Sequence, residues 1–195
     1  MLSLCDASFQ RDYASVQGEI ILLANRHNSD VSPLLWKTKS ILRVCKSSKD
    51  AETRAADSCA VKSVYAAQVA EFLLWGDIAS RMKVHLYTDS KPLIESIGST
   101  KRIDNKGLWN VIEYLKEVIL HRKVELIGYV NTLENPADIL TKYKAESDLF
   151  YSIFVKGFYD RPGDKTCVRL VTREHGNEIR IHDGGSIRQG DLVIN

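Results

Sequence analysis

Lys49 to Trp75 reads as one long helix set among β-like runs, and that alternation restricts the chain to a sheet with helices packed on it. Ser47 lies three residues before Asp50, a start resembling a capping box. Ala51, Ala55, Cys59, Ala66, Ala70 and Leu73 form the expected inner stripe, made largely of small residues that can approach a sheet closely. Upstream, SLCDASF reads as a short strand and VQGEIILLAN, residues 16 to 25, as a second, with Gln17-Gly18 near its start. PLLWKTK and ILRVCK form a third, interrupted apolar region that alternates with cations. Downstream come the strand KVHLYT (83–88), the short helix SKPLIESI and a helical period through Leu108, Val111, Ile112, Leu115, Val118 and Ile119. KVELIGYV (123–130) is the next strand and runs into a helix opened by ENPAD, where Asn135 is a good N-cap and Pro136 suits the first helical position. The amphipathic ESDLFYSIFVKGF closes the core. The expected fold class is α/β, a mixed sheet with helices on its faces.

With 195 residues, 44% hydrophobic and 27% charged, the composition is that of one soluble globular domain of ordinary size. Residues 1–158 form its body, and YDRPGDK carries a Pro-Gly turn signal. Residues 159–195 are expected as a C-terminal extension, either a β-hairpin unit or a flexible tail. No apolar run approaches a membrane span, and the N-terminus shows no secretory pattern, so no membrane association is expected. Cys5, Cys45, Cys59 and Cys167 have no paired spacing and read as free thiols of a reducing compartment, the cytoplasm or nucleus. Trp36, Trp75 and Trp109 sit in apolar contexts and read as core.

Four acids fall at the ends of elements. Asp6 follows SLC, Glu52 stands in the first turn of the long helix, Asp89 follows KVHLYT and Asp138 opens the ENPAD helix. Each has a local reading: a turn for Asp6, a helix dipole for Glu52 and Asp138, and a cap before Pro92 for Asp89. Together they suit a site at the carboxyl ends of strands in an open sheet. Clustered carboxylates repel and raise one another's pKa, whereas two Mg²⁺ ions about 3.5–4 Å apart use such oxygen ligands to work on a phosphodiester.

CDASF, SSKDAET, YTDSKPLIESI and NPADILTK, in that order, resemble the ribonuclease H domains of Ty1/copia-type retrotransposon Pol polyproteins. Gln17-Gly18, LLWKTK and RIDNKGLWNVIEYLKE support the likeness, which covers roughly residues 2 to 157. It implies a ribonuclease H-like fold, with a five-stranded mixed sheet flanked by helices, and hydrolysis of the RNA strand of RNA–DNA hybrids during reverse transcription. By motif, Asp6, Glu52, Asp89 and Asp138 resemble the catalytic metal ligands, holding two Mg²⁺ ions for which Mn²⁺ can substitute. Asp50 and Asp57 are nearby rivals of Glu52 but stand outside the Ala-Glu pair. The segment YVNTLENPAD lacks the histidine that many ribonucleases H carry before the fourth acid, and no histidine here is given a role.

A net charge of +2 is too small to imply a nucleic-acid partner by itself, so local clusters matter. Lys37, Lys39 and Arg43, with Lys101 and Arg102 later, are candidate contacts to a hybrid backbone, or else a solvated face. Ser90 beside Asp89 is a further candidate, or a helix cap. The implied partners are an RNA–DNA hybrid and a reverse transcriptase domain of the same polyprotein. Such a domain ordinarily follows a reverse transcriptase, and these residues hold none. The other functional readings are a domesticated, catalytically silent ribonuclease H-like module with a structural or protein-binding role, and a nuclease of the same broad fold acting on DNA.

Overall fold

The computed structural model describes residues 1–10, 13–25, 27–142, 148–160, 162, 166–173, 176–183, 186–187 and 192–193. Strand β1 (Leu2–Ser8) pairs antiparallel with β2 (Val16–Ala24), and β2 with β3 (Val31–Ser40). On its other side β1 runs parallel to β4 (His85–Thr88), which runs parallel to β5 (Leu126–Tyr129). These are the five strands expected, in the order β3-β2-β1-β4-β5. ILRVCK adds no strand; there Ile41 and Cys45 are buried while Leu42 and Val44 face solvent.

The sheet does not stop at five. Strand β6 (Thr166–Arg173) pairs antiparallel with β5 and with β7 (Gly176–Asp183). The short strands β8 (Ser186–Ile187) and β9 (Leu192–Val193) pair with β7, making nine strands in one sheet among the described residues. An uncovered β5 would present a row of unpaired backbone groups, and β6 satisfies them.

Three helices cover one face: α1 (Ser48–Trp75), α2 (Lys91–Ile97) and α3 (Lys106–Leu120). Cys5, Ala55, Cys59, Leu86, Ile94, Ile112, Leu115 and Ile127 are fully or almost fully buried in that layer. The second face holds Leu4, Ile20, Leu22, Tyr87 and Leu126 and is closed by Ala137, Leu140, Leu149, Ile153 and Tyr159. The ENPAD segment is not an α-helix but two short 3-10 turns, Thr132–Glu134 and Pro136–Leu140. Asn135 still caps the second, its Oδ1 accepting from the Ala137 amide at 3.1 Å. Beyond lie one α-turn, α4 (Asp148–Tyr151), and a wider π-turn over Ser152–Lys156, where Phe150 stacks on Phe154 and Trp36 meets Phe154 edge-on. Trp36 and Trp75 are each about half exposed and so are not core residues, contrary to expectation.

The inner stripe of α1 also differs from expectation. Ala51, Ala55 and Cys59 are buried, but then Ser63, Ala67 and Glu71 face inward, while Ala66 and Ala70 are partly covered and Leu73 is largely exposed. The inward face is chosen by polar bonds: Ser63 and Ser3 share a hydroxyl hydrogen bond of 2.7 Å, and Glu71 Oε2 accepts from the amides of Ala79 and Ser80. No helix among the described residues is long and apolar enough to cross a membrane. All four cysteines are buried free thiols.

Candidate metal centre

Asp6 lies near the carboxyl end of β1, and because Cys5 pairs with Thr88, Asp89 follows directly beside it. Alternation along β1 sends Cys5 toward α1 and Asp6 to the opposite side, over Gly18 of β2. Glu52 arrives from α1. It stands in the second turn, not the first, because the helix begins at Ser48 and the cap is made by Ser47 and Asp50. Ser47 Oγ accepts from the Asp50 amide, and the Asp50 carboxylate accepts from the Lys46 amide and from Arg54. That use of Asp50 leaves Glu52 as the acid of this helix free to reach the strand ends.

Ligand oxygens of Asp6, Glu52 and Asp89 lie within 4.8 Å of one another. Glu52 Oε1 accepts from the Ala7 amide at 3.3 Å, while Oε2 is buried without a hydrogen-bond partner. Burial, and then the charges of Asp6 and Asp89, push Glu52 up to about 9. Asp6 is pushed up to about 6, by burial first and also by Asp89 and Asp138, with the Thr141 hydroxyl and Lys142 pulling the other way. Thr132 Oγ1 donates to Asp89 Oδ2 at 2.8 Å, and Thr141 Oγ1 donates to Asp6 Oδ2. Hard oxygen donors at this spacing, one of them orphaned in the interior, fit a divalent cation. Asp6, Glu52 and Asp89 are the residues that could hold it.

Asp138 stands beside this group rather than within it. Its carboxylate is paired with Lys142 four residues on. Burial opposes the charge on Lys142, but the Asp138 bond and the charges of Asp6, Asp138 and Asp89 lift its pKa above the ordinary lysine value. The turn that carries Asp138, Thr141 and Lys142 is held by two hydrogen bonds and a close contact. Asn135 Nδ2 donates to the Cys5 carbonyl at 3.0 Å, and Thr38 Oγ1 donates to the Leu140 carbonyl at 3.0 Å. Gly18 allows the close approach, since a Cβ there would lie 2.7 Å from Leu140 Cβ and 2.9 Å from the Ala137 oxygen. Thr132, Thr141 and Lys142 escaped the sequence reading, although the last two close the NPADILTK stretch that drew attention to Asp138.

The expected substrate contacts lie apart from one another. Lys37 and Lys39 are exposed on β3, and they alternate with Thr38, so they project from the side of the strand away from the Asp138 turn. Arg43 is exposed in the loop before α1, and Lys101 and Arg102 are exposed between α2 and α3. Lys116, over the Trp109 ring, binds the Ser99 carbonyl at 2.9 Å beside that second loop. Ser90 is buried next to Asp89; it stands at the N-cap position of α2, but its hydroxyl makes no capping bond.

The antiparallel β1–β3, the parallel β4 and β5 and the helices on α1's side define a ribonuclease H-like fold. Among solved structures, the chain is similar to RNase H1 of the halophilic archaeon Halobacterium salinarum NRC-1, with a TM-score of 0.51 and 15% identity over 71% of this chain and 92% of that one. It is likewise similar to LC11-RNase H1, solved in complex with an RNA/DNA hybrid, with a TM-score of 0.51 and 13% identity over 74% of this chain and 95% of that one. At these identities the likeness is one of fold. No protein-family model and no curated protein matches the chain.

Proposed function

We propose that the chain is a metal-dependent ribonuclease H that hydrolyses the RNA strand of RNA–DNA hybrids, in the reverse transcription of a Ty1/copia-type retrotransposon. The observation that carries the reading is the buried, unpartnered Glu52 oxygen aimed into a group completed by Asp6 and Asp89. A module without a ligand has no use for three carboxylates that raise one another's proton affinity. Divalent ions held there, two Mg²⁺ or Mn²⁺ in their place, supply Lewis acidity toward phosphate oxygens and an activated water.

The protein's own part is to place charge. Asp6, Glu52 and Asp89 fix the centre, with Thr141 and Thr132 orienting two of the carboxylates. Asp138 would join them as a fourth ligand if Lys142 released its carboxylate, leaving that lysine's charge for the phosphodiester. Lys37, Lys39, Arg43, Lys101, Arg102 and Ser90 contact the hybrid. The working partner is a reverse transcriptase domain of the same polyprotein, and the four buried free thiols suit a reducing compartment, the cytoplasm or nucleus. What supports the retrotransposon context is the order of CDASF, SSKDAET, YTDS and NPADILTK.

A second reading, a domesticated silent module, has one observation in its favour: Lys142 already supplies a positive charge beside the acids. The test is a comparison of substrates of one sequence in Mg²⁺ and in EDTA. Cleavage confined to the RNA strand of the hybrid, and abolished by EDTA, is expected. Cleavage of duplex DNA in preference to the hybrid transfers the chain to the DNA nucleases, and no cleavage by well-folded protein leaves the silent module.

A further inference from the structure

The second half of α1 is apolar on the side that faces away from the sheet. Val61, Tyr65, Val69, Phe72 and Trp75 succeed one another three or four residues apart, so they share a face. Tyr65 is 68% exposed, Phe72 58% and Trp75 52%, and Leu73 beside them is 76% exposed. Ala60, Ser63, Ala67 and Glu71 bury the opposite side of the same helix. Between Val61 and Trp75 the charged residues are Lys62 and Glu71, and both turn inward. Lys62 Nζ binds Glu19 Oε1 at 2.7 Å, and Glu71 binds the amides of Ala79 and Ser80. An apolar stripe on a helix is ordinarily turned toward a packing partner.

The size of the strip bears on what covers it. Aromatic side chains bury about 150–250 Å² each, so the three aromatics and their aliphatic neighbours leave roughly 600 Å² in water. That is the upper end for the largest apolar patch of a monomer, about 300–600 Å². It also approaches the about 800 Å² that each partner contributes to a standard interface.

The strip complements itself. Run antiparallel about a two-fold axis at Gln68, Val61 of one copy meets Trp75 of the other, and Tyr65 meets Phe72. Small thus lies against large at the ends, and aromatic against aromatic between them. Arg54 and Asp57 precede the strip, and the Asp77–Arg81 ion pair follows it. The geometry points to a homodimer in which α1 of one copy packs antiparallel on α1 of a second. Glu52 precedes the strip, so the two carboxylate groups stay open, roughly 50 Å apart along the paired helices at 1.5 Å per residue.

Sedimentation equilibrium of the full chain across the micromolar range tests this. The expected mass is twice the 22.0 kDa of the chain, falling to a single chain in Tyr65→Lys/Phe72→Lys with unchanged far-UV circular dichroism. A single-chain mass for the parent throughout overturns the dimer, and a dimer that survives both lysines overturns its assignment to α1. Gln68→Cys checks the register without charging the strip. Copies meeting at the axis form a disulfide-linked dimer on mild oxidation, and Leu42→Cys, exposed but outside the strip, does not. A Gln68→Cys sample of dimer mass that fails to cross-link rules out this antiparallel arrangement.

Discussion

Lys142 closes on the carboxylate of Asp138, one helical turn back in the chain, at the edge of the group formed by Asp6, Glu52 and Asp89. The lysine therefore serves two competing ends. It compensates acids that would otherwise repel, and it holds a positive charge where the proposed metal ion would bind.

Lys142→Met separates those ends. Without metal the variant melts lower than the parent, by about 1 kcal/mol or less because the lysine is substantially exposed. In Mg²⁺ it gains more than the parent does, since one competing cation has gone. Thermal melts of both proteins in EDTA and in Mg²⁺ check this, and an Mg²⁺ gain smaller than the parent's contradicts the competition.

Protonation gives the second expectation. Glu52 is raised from an ordinary 4.5 to about 9, and Asp6 from 3.8 to about 6. The folded protein then binds more protons than the unfolded chain between those values, so these groups make stability fall as pH rises through them. Their contribution is complete below the ordinary carboxylate range. In EDTA the melting temperature should decline from pH 5 to pH 9, more shallowly in Glu52→Gln. Mg²⁺ binding near neutrality should release protons and tighten as pH rises, which calorimetry in buffers of different ionisation enthalpy reads directly.

Gly18→Ala forces a Cβ against Leu140 and the Ala137 carbonyl. The turn bearing Asp138 and Thr141 must lift from β2, at about 1–3 kcal/mol, the usual range for overpacking. Melting should drop by that amount, and hybrid cleavage should fall further than melting explains. Unchanged activity would detach the turn from the chemistry.

Asn135→Ala removes two bonds at once, the cap on Ala137 and the clamp to the Cys5 carbonyl beside Asp6. A loss of about 1–2 kcal/mol is expected for a buried capping amide. Denaturant titration measures it, and Asn135→Asp, which keeps the cap but not the clamp, should recover only part.

Much of this was legible in the residues, and the parts that were not share a cause. The strands through β5 and the α1 cap at Ser47 are written in local periods and short spacings, and they stand where those patterns put them. Past Cys59 the inward face of α1 is not legible in the sequence, because Ser63 and Glu71 are polar. Their partners, Ser3 and the amides of Ala79 and Ser80, become visible only once the chain has folded. The pairing of β6 with β5 likewise depends on an open edge and not on anything within β6 itself. Lys142 is silent in the sequence, because a lysine after a threonine carries no signal until Asp6 and Asp138 are brought beside it.

The central claim is that Asp6, Glu52 and Asp89 form a working metal centre for hybrid cleavage. Its most direct test is the cleavage rate of a labelled RNA–DNA hybrid in Mg²⁺ for the parent and for Asp89→Asn. The expected result is robust cleavage by the parent and a loss of about two to three orders of magnitude or more in the variant, as removal of a core metal ligand entails. Equal rates for the two proteins, both well folded, would contradict it.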